Sequence, residues 1–176
     1  MLNKVKIQNF KSIGEPGIEL ELKPLTFLVG PNGAGKSSTL EAIGVAAQRG
    51  TGGGILSLPN SEAAIHKRKS SQSVAQTIVD LYFSDRPNVL SGLGFRFRLV
   101  KEENGQVSQS EYRLQNDLPV SDSNTSATIT KMLNELASQT YLVSATRGNV
   151  PYTSDTLGAI NVNAVGRHGE NILFVL

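Results

Sequence analysis

Gly30-Pro31-Asn32-Gly33-Ala34-Gly35-Lys36-Ser37 decides how this chain folds. The string is a complete G-x-x-x-x-G-K-[ST] phosphate-binding loop, and its flanks have the character that loop requires. Upstream, Leu25-Thr26-Phe27-Leu28-Val29 is apolar and β-prone and reads as a buried parallel strand. Downstream, Leu40, Ile43, Gly44 and Ala47 recur at helical spacing. The residue types suit a nucleoside triphosphate with Mg²⁺. Gly30, Gly33 and Gly35 free the backbone to turn successive N–H groups inward, with Pro31, Asn32 and Ala34 completing the loop. A helix beginning near Gly35 adds its unpaired N–H groups and positive dipole end. Lys36 is the mobile charge for the β- and γ-phosphates and the catalytic candidate, Ser37 the hydroxyl for Mg²⁺, and Ser38 a second hydroxyl for the phosphates. A turn that merely capped a helix would need no Lys-Ser pair at this offset.

The chain of 176 residues fits one domain with enough length to bury a core. Its 39% hydrophobic and 18% charged residues read as soluble, and no run reaches the roughly 18 apolar residues of a membrane span. Neither a membrane partner nor a secretory leader is expected. The absence of cysteine removes disulfides and thiolate metal sites and agrees with a cytoplasmic location. A net charge of +2 does not argue for nucleic acid, so any DNA contact must come from a local patch.

Outward from the loop, residues 1–48 form the expected core. Val5 and Ile7 alternate with Lys4, Lys6 and Gln8, and Ile18, Leu20 and Leu22 alternate with Glu19, Glu21 and Lys23, with Gly14-Glu15-Pro16-Gly17 as the turn of an antiparallel pair. Residues 49–73, glycine-rich and then basic, read as irregular and mobile. Antiparallel strands are expected over 74–116, from Ala75, Thr77, Val79, Leu81 and Phe83, then Phe95, Phe97 and Leu99, with Asn104-Gly105 as a hairpin turn into Val107 to Leu114. A helix and strand follow over 126–144, carried by Ile129, Met132, Leu133 and Leu136 and by Tyr141-Leu142-Val143. A long loop leads to the apolar Ile172-Leu173-Phe174-Val175-Leu176.

Several pieces together resemble the N-terminal half of the ATPase head in ABC-type ATPases of the AAA family, the group that includes RecF, OLD and structural-maintenance-of-chromosomes proteins. They are Val5-Lys6-Ile7-Gln8-Asn9-Phe10-Lys11-Ser12, the strand Ile18 to Leu22, the loop with its strand and Leu40-Glu41-Ala42-Ile43, the strands to Leu114, and the segments Tyr141 to Arg147 and Val165 to Asn171. The resemblance implies an α/β fold: a P-loop core with an attached antiparallel β-subdomain, incomplete without a C-terminal half. It also makes Lys11 and Ser12 candidate ATP contacts, where the residues alone would make Lys11 a solvated strand-end lysine. His168-Gly169-Glu170 stands where the family has a glutamine loop, with His in place of Gln, which makes His168 a candidate for ordering the attacking water; a surface histidine is the alternative. Arg147 reads as phosphate-sensing or structural.

Two family elements are missing. No run of four apolar residues ends in Asp-Glu; Asp80 in Ile78-Val79-Asp80-Leu81 lacks the following Glu and sits inside an alternating strand. Leu90-Ser91-Gly92-Leu93-Gly94 imitates the family signature but its glycines suit a turn. The chain is therefore expected to be the N-terminal part of a longer or multi-subunit protein, inactive alone. The resemblance implies an ATP-dependent homodimer or higher oligomer, DNA as a candidate partner, and a role in DNA repair or phage defence. The alternative is a nucleotide-gated module that holds a nuclease or toxin effector with little hydrolysis. The basic run His66-Lys67-Arg68-Lys69 reads as a solvated loop, a trans-acting cationic loop, or a DNA-backbone contact.

Overall fold

In the computed structural model the described residues are 1–23, 25–51, 61–66, 75–84 and 92–139. Among the described residues six strands form one antiparallel sheet in the order β2-β1-β3-β4-β5-β6. These are β1 (Leu2–Gln8), β2 (Ile18–Glu21), β3 (Ala75–Phe83), β4 (Leu93–Lys101), β5 (Val107–Gln115) and β6 (Leu118–Pro119). The helices are α1 (Lys36–Arg49), α2 (Ser61–Ala64) and α3 (Ser123–Gln139). Among the described residues no helix is long and apolar enough to cross a membrane.

The sheet follows the alternation of its residues. Register pairs Val5 with Leu81 and Ile7 with Val79, then Leu81 with Phe95 and Val79 with Phe97. Successive side chains point to opposite faces of a strand, so these residues share one face, and all six are fully or almost fully buried. Each buried phenylalanine contributes about 1.5–3 kcal/mol of transfer free energy. Helix α1 lies on this face against β3 and β4. Its buried side, Thr39, Ala42, Val45 and Ala46, is built from small residues, which let the helix come close to the aromatic layer. Helix α3 adds Ile129 and Leu133, both fully buried, and a bond from Arg113 Nε to Thr130 Oγ1 of 3.0 Å ties it to β5. A Cβ at Gly50 would stand 2.7 Å from Leu133 Cδ1 and 3.1 Å from Phe95 Cζ, so α1 ends in contact with both α3 and the sheet.

Turn chemistry joins the strands. Gly105, at φ 82, donates its N–H to Glu102 O at 2.9 Å, and Glu102 N bonds Gln106 O at 2.8 Å, which closes the expected Asn104-Gly105 hairpin. A second hairpin, not expected from the sequence, turns on Asn116 and Asp117, with φ of 52° and 66°. Two successive positive φ values match the twist of paired strands, and Asn and Asp tolerate them. The last helix starts at Ser123 rather than 126 because Asp122 caps it, accepting the Thr125 N–H on Oδ2 at 2.7 Å.

Three expectations are corrected. Leu25 to Val29 is not a strand: Leu25, Phe27 and Val29 are 73%, 77% and 91% exposed. A strand needs neighbours for its N–H and C=O groups, and no described strand pairs with this row. An apolar run reports a preference for burial without supplying the cover. The apolar face of α1 is only partly the one read off its spacing: Gly44 and Ala47 are buried as expected, but Leu40 is half exposed and the face continues through Ala42, Val45 and Ala46. Inside the segment expected to be irregular, Ser61–Ala64 form a helical turn, and Ile65 pairs with Phe10 in a β-bridge. Tyr141 to Val143, the loop that follows and Ile172 to Leu176 lie outside the described residues.

The outer face of the sheet carries a polar network. Arg96 grips the buried Asp80 with two bonds, Nε to Oδ1 at 2.7 Å and Nη2 to Oδ2 at 2.8 Å. Tyr82 donates its hydroxyl to Asp117, and Lys4 and Lys6 lie 4.9 and 5.3 Å above its ring. Burial, the Asp117 bond and the Asp80 charge push the Tyr82 pKa well up, and the same bond holds Asp117 down. Arg96→Met strands Asp80 without a counter-charge and is expected to cost about 3 kcal/mol, most of it recovered by adding Asp80→Asn; chemical denaturation of both variants checks this. Tyr82→Phe is expected to cost about 1 kcal/mol at neutral pH. The raised Tyr82 group contributes fully below its ordinary 10.0 and loses its contribution as pH climbs through the folded value. The lowered Asp117 group contributes above its ordinary 3.8 and loses its share as pH falls through the folded value. The stability gap between wild type and Tyr82→Phe should therefore stay flat between these limits and shrink in acid, as thermal melts across pH would show.

Candidate functional site

The loop closes onto the first turn of α1. Gly35 is the residue before the helix, held left-handed at φ 89, and no side chain caps the helix N-terminus. Such a position ordinarily takes Ser, Thr, Asp or Asn. Glycine leaves the first N–H groups of the helix facing outward without a competing side-chain oxygen, and the first turn holds no acid. A Cβ at Gly33, φ 83, would meet nothing within 4 Å, so the backbone angle and not space calls for glycine there. Pro31, Asn32, Gly33 and Ala34 are exposed, with Ala34 N bonded to Pro31 O at 3.3 Å.

Lys36 folds back over this loop. Its ammonium donates to Gly30 O and to Pro31 O, each at 2.8 Å, and so stands at the loop's mouth. Ser37 is exposed, with its hydroxyl on the first turn, a hard oxygen donor of the kind Mg²⁺ takes. Thr39 Oγ1 donates to Gly35 O at 2.9 Å and locks the junction from inside the helix. The donors present fit a polyphosphate: outward N–H groups, one ammonium and one open hydroxyl. Among the described residues no cluster of three or more His, Asp or Glu could hold a metal by itself.

Segment 9–14 clamps this turn from the side. Ser12 Oγ and Ser38 Oγ share a hydrogen bond of 2.7 Å, and Lys11 forms an ion pair with Glu41. Both Asn9 and Lys11 are left-handed, at φ 52 and 48, and the strain is held by bonds at each side. Asn9 O accepts from Thr77 Oγ1 at 2.6 Å and from His66 N at 2.9 Å; Lys11 N donates to Ala64 O at 2.8 Å. His66 Nδ1 lies 2.6 Å from Lys11 O. A carbonyl only accepts, so Nδ1 carries the proton. Phe10, fully buried, anchors the segment from below.

Of the residues expected at the site, Gly30 to Ser38, Lys11 and Ser12 come together at one end of α1. His168 and Arg147 lie outside the described residues, as do Lys67 to Lys69. The first member of the basic run, His66, is half-buried and supports the Lys11 backbone through Nδ1. Sequence reading missed this, because a histidine bonded to main chain leaves no pattern. Asp80 is committed to Arg96 on the far face of the sheet, as the alternation of β3 suggested.

The AAA domain family model matches residues 4–150. The OLD nuclease of Thermus scotoductus (strain ATCC 700910 / SA-01) is 49% identical over 43 residues, 24% of this chain and 8% of that protein. Exonuclease subunit 2 of Enterobacteria phage T4 is 48% identical over 44 residues, again 24% and 8%. The matched stretch thus spans under a tenth of either curated relative. Among solved structures, one described as "Structural biochemistry of ATP-driven dimerization and DNA stimulated activation of SMC ATPases" aligns with TM-score 0.47 and 20% identity, over 76% of this chain and 77% of that one. An SmcHead bound to the C-winged helix domain of ScpA aligns with TM-score 0.47 and 19% identity, over 79% and 40%.

The Ser12–Ser38 bond generates a prediction about the clamp. Ser12→Ala and Ser38→Ala should each lower stability by about 1 kcal/mol, and the double variant should lose clearly less than the sum, measured by urea denaturation of all four chains.

Proposed function

The chain belongs to the AAA domain family, and from that premise we propose that Gly30 to Ser38 bind ATP with Mg²⁺ as the nucleotide-binding part of an ATPase head. The observation that carries this reading is the loop's geometry: a left-handed Gly35, an uncapped helix N-terminus and the Lys36 ammonium converge on one open mouth. Backbone N–H groups there take the phosphates, and Lys36 exchanges its two carbonyl partners for β- and γ-oxygens. Ser37 Oγ would be the residue that holds Mg²⁺, which when bound supplies charge neutralisation for the phosphates. Lys11 and Ser12 border the site, Lys11 through an ammonium paired with Glu41 and Ser12 through its bond to Ser38.

Hydrolysis needs a carboxylate free to act on the triphosphate, and among the described residues Asp80 is held by Arg96 and Glu41 by Lys11. We therefore assign catalysis to an assembly, an ATP-dependent homodimer or higher oligomer completed by further motifs. Both curated relatives are nuclease proteins by name, which supports a DNA-associated or phage-defence role with a nuclease or effector partner. Lys36→Ala is expected to weaken ATP binding at least about tenfold, the loss of a charge-assisted contact. Titration with a fluorescent ATP analogue and Mg²⁺ measures it, and an unchanged affinity would reject the assignment.

A further inference from the structure

We infer that Glu41 is a counter-ion that competes with a bound triphosphate for the Lys11 ammonium, so that a carboxylate outside the loop sets how tightly the loop holds nucleotide. The inference rests on the reading of Gly30 to Ser38 as a triphosphate site. Its starting point is the way Lys11 is held. Both main-chain polar groups of Lys11 are tied, the N–H to Ala64 O at 2.8 Å and the carbonyl to His66 Nδ1 at 2.6 Å. The backbone is fixed, and only the side-chain arm is free to change partners.

That arm stands at the edge of the loop. The neighbouring Ser12 bonds Ser38, and a Cβ on Gly35 would lie 3.6 Å from Ser12 Oγ. Ser38 and Glu41 are three residues apart on α1 and so adjacent on its surface, which places the Lys11–Glu41 pair beside the first turn. Glu41 is also the first acid of the helix after the loop. Its side chain is 29% exposed and that of Lys11 33%, so water screens the pair, and such a pair is weak enough to exchange. A triphosphate with several charges offers the ammonium a stronger partner.

The sign follows. While Lys11 is paired with Glu41 its charge is neutralised toward the loop. Removing the carboxylate releases the ammonium to the phosphates, and affinity should rise. A residue that merely buttressed the fold would lower affinity when removed.

The test is a set of dissociation constants for the fluorescent ATP analogue with Mg²⁺, on the full chain and on Glu41→Gln, Lys11→Met, the double variant and Lys36→Ala. Glu41→Gln is expected to bind about three- to fivefold tighter, the worth of a partly screened ion pair. In the Lys11→Met background the same change should give less than about twofold. Unchanged or weaker binding by Glu41→Gln overturns the inference. So does an equal gain in both backgrounds, which would mean direct repulsion by Glu41 without Lys11. If Lys36→Ala abolishes binding while Glu41→Gln gains nothing, the site reading stands and this inference alone falls. If Lys36→Ala binds as the wild type does, both fall. A mutation-free measurement guards against misfolded variants: the Glu41 carboxylate ¹³C resonance should move when ATP and Mg²⁺ are added to the unaltered chain, and a stationary resonance overturns the inference.

Discussion

Helix α1 meets the sheet through Thr39, Ala42, Val45 and Ala46, side chains short enough to bring its backbone close to a layer of buried phenylalanines. Close packing of this kind leaves little freedom in the height or rotation of the helix. Its first turn, and therefore the loop that precedes it, is placed by contacts several residues away. The same layer receives Leu133 from α3 against Gly50, so the far end of α1 is fixed too. A loop with three glycines owes its position to this rigid support rather than to anything in itself.

A second support reaches the loop from the side. Segment 9–14 leaves β1, passes through two left-handed residues and presents Lys11 and Ser12 to α1. The strain of those angles is offset by bonds from Ala64, His66 and Thr77, which come from parts of the chain more than fifty residues away. Sheet and clamp thus constrain the loop from two directions, while its outer side, Pro31 to Ala34, stays exposed.

Much of this was legible in the sequence. The loop string pointed to a nucleoside triphosphate, in keeping with the family match, and alternation gave β1, β3 and β4 because one face of that sheet is buried and the other polar. The Asn104-Gly105 turn was readable for the same reason that Asn116-Asp117 was not: Asn-Gly is a strong hairpin signal, whereas Asn-Asp lies in a polar stretch that looks like any loop. Leu25 to Val29 misled because hydrophobicity records a preference for cover and not its source. The face of α1 was read only in part for a related reason, since Ala42 and Ala46, buried by close approach, look neutral beside an exposed Leu40. His66 was invisible, because its partner is a carbonyl, which every residue owns. The resemblance to AAA-family ATPases, by contrast, was carried by pieces from residue 5 to residue 171, most specifically by 5 to 48, and agrees with the family match.

The left-handed Gly35 with no side-chain cap has a consequence for how such a site changes over time. Because no side chain caps the helix N-terminus, its rigidity is contributed by Ser12, Thr39 and the groups behind Lys11. Chemistry and stiffness are therefore written in different stretches of the chain. A lineage can soften or tighten the support of this loop by drifting at Ser12, Thr39 or His66, while every letter of the loop string stays as it is. Two proteins with identical loops need not share an affinity, and the difference would escape any comparison confined to the motif.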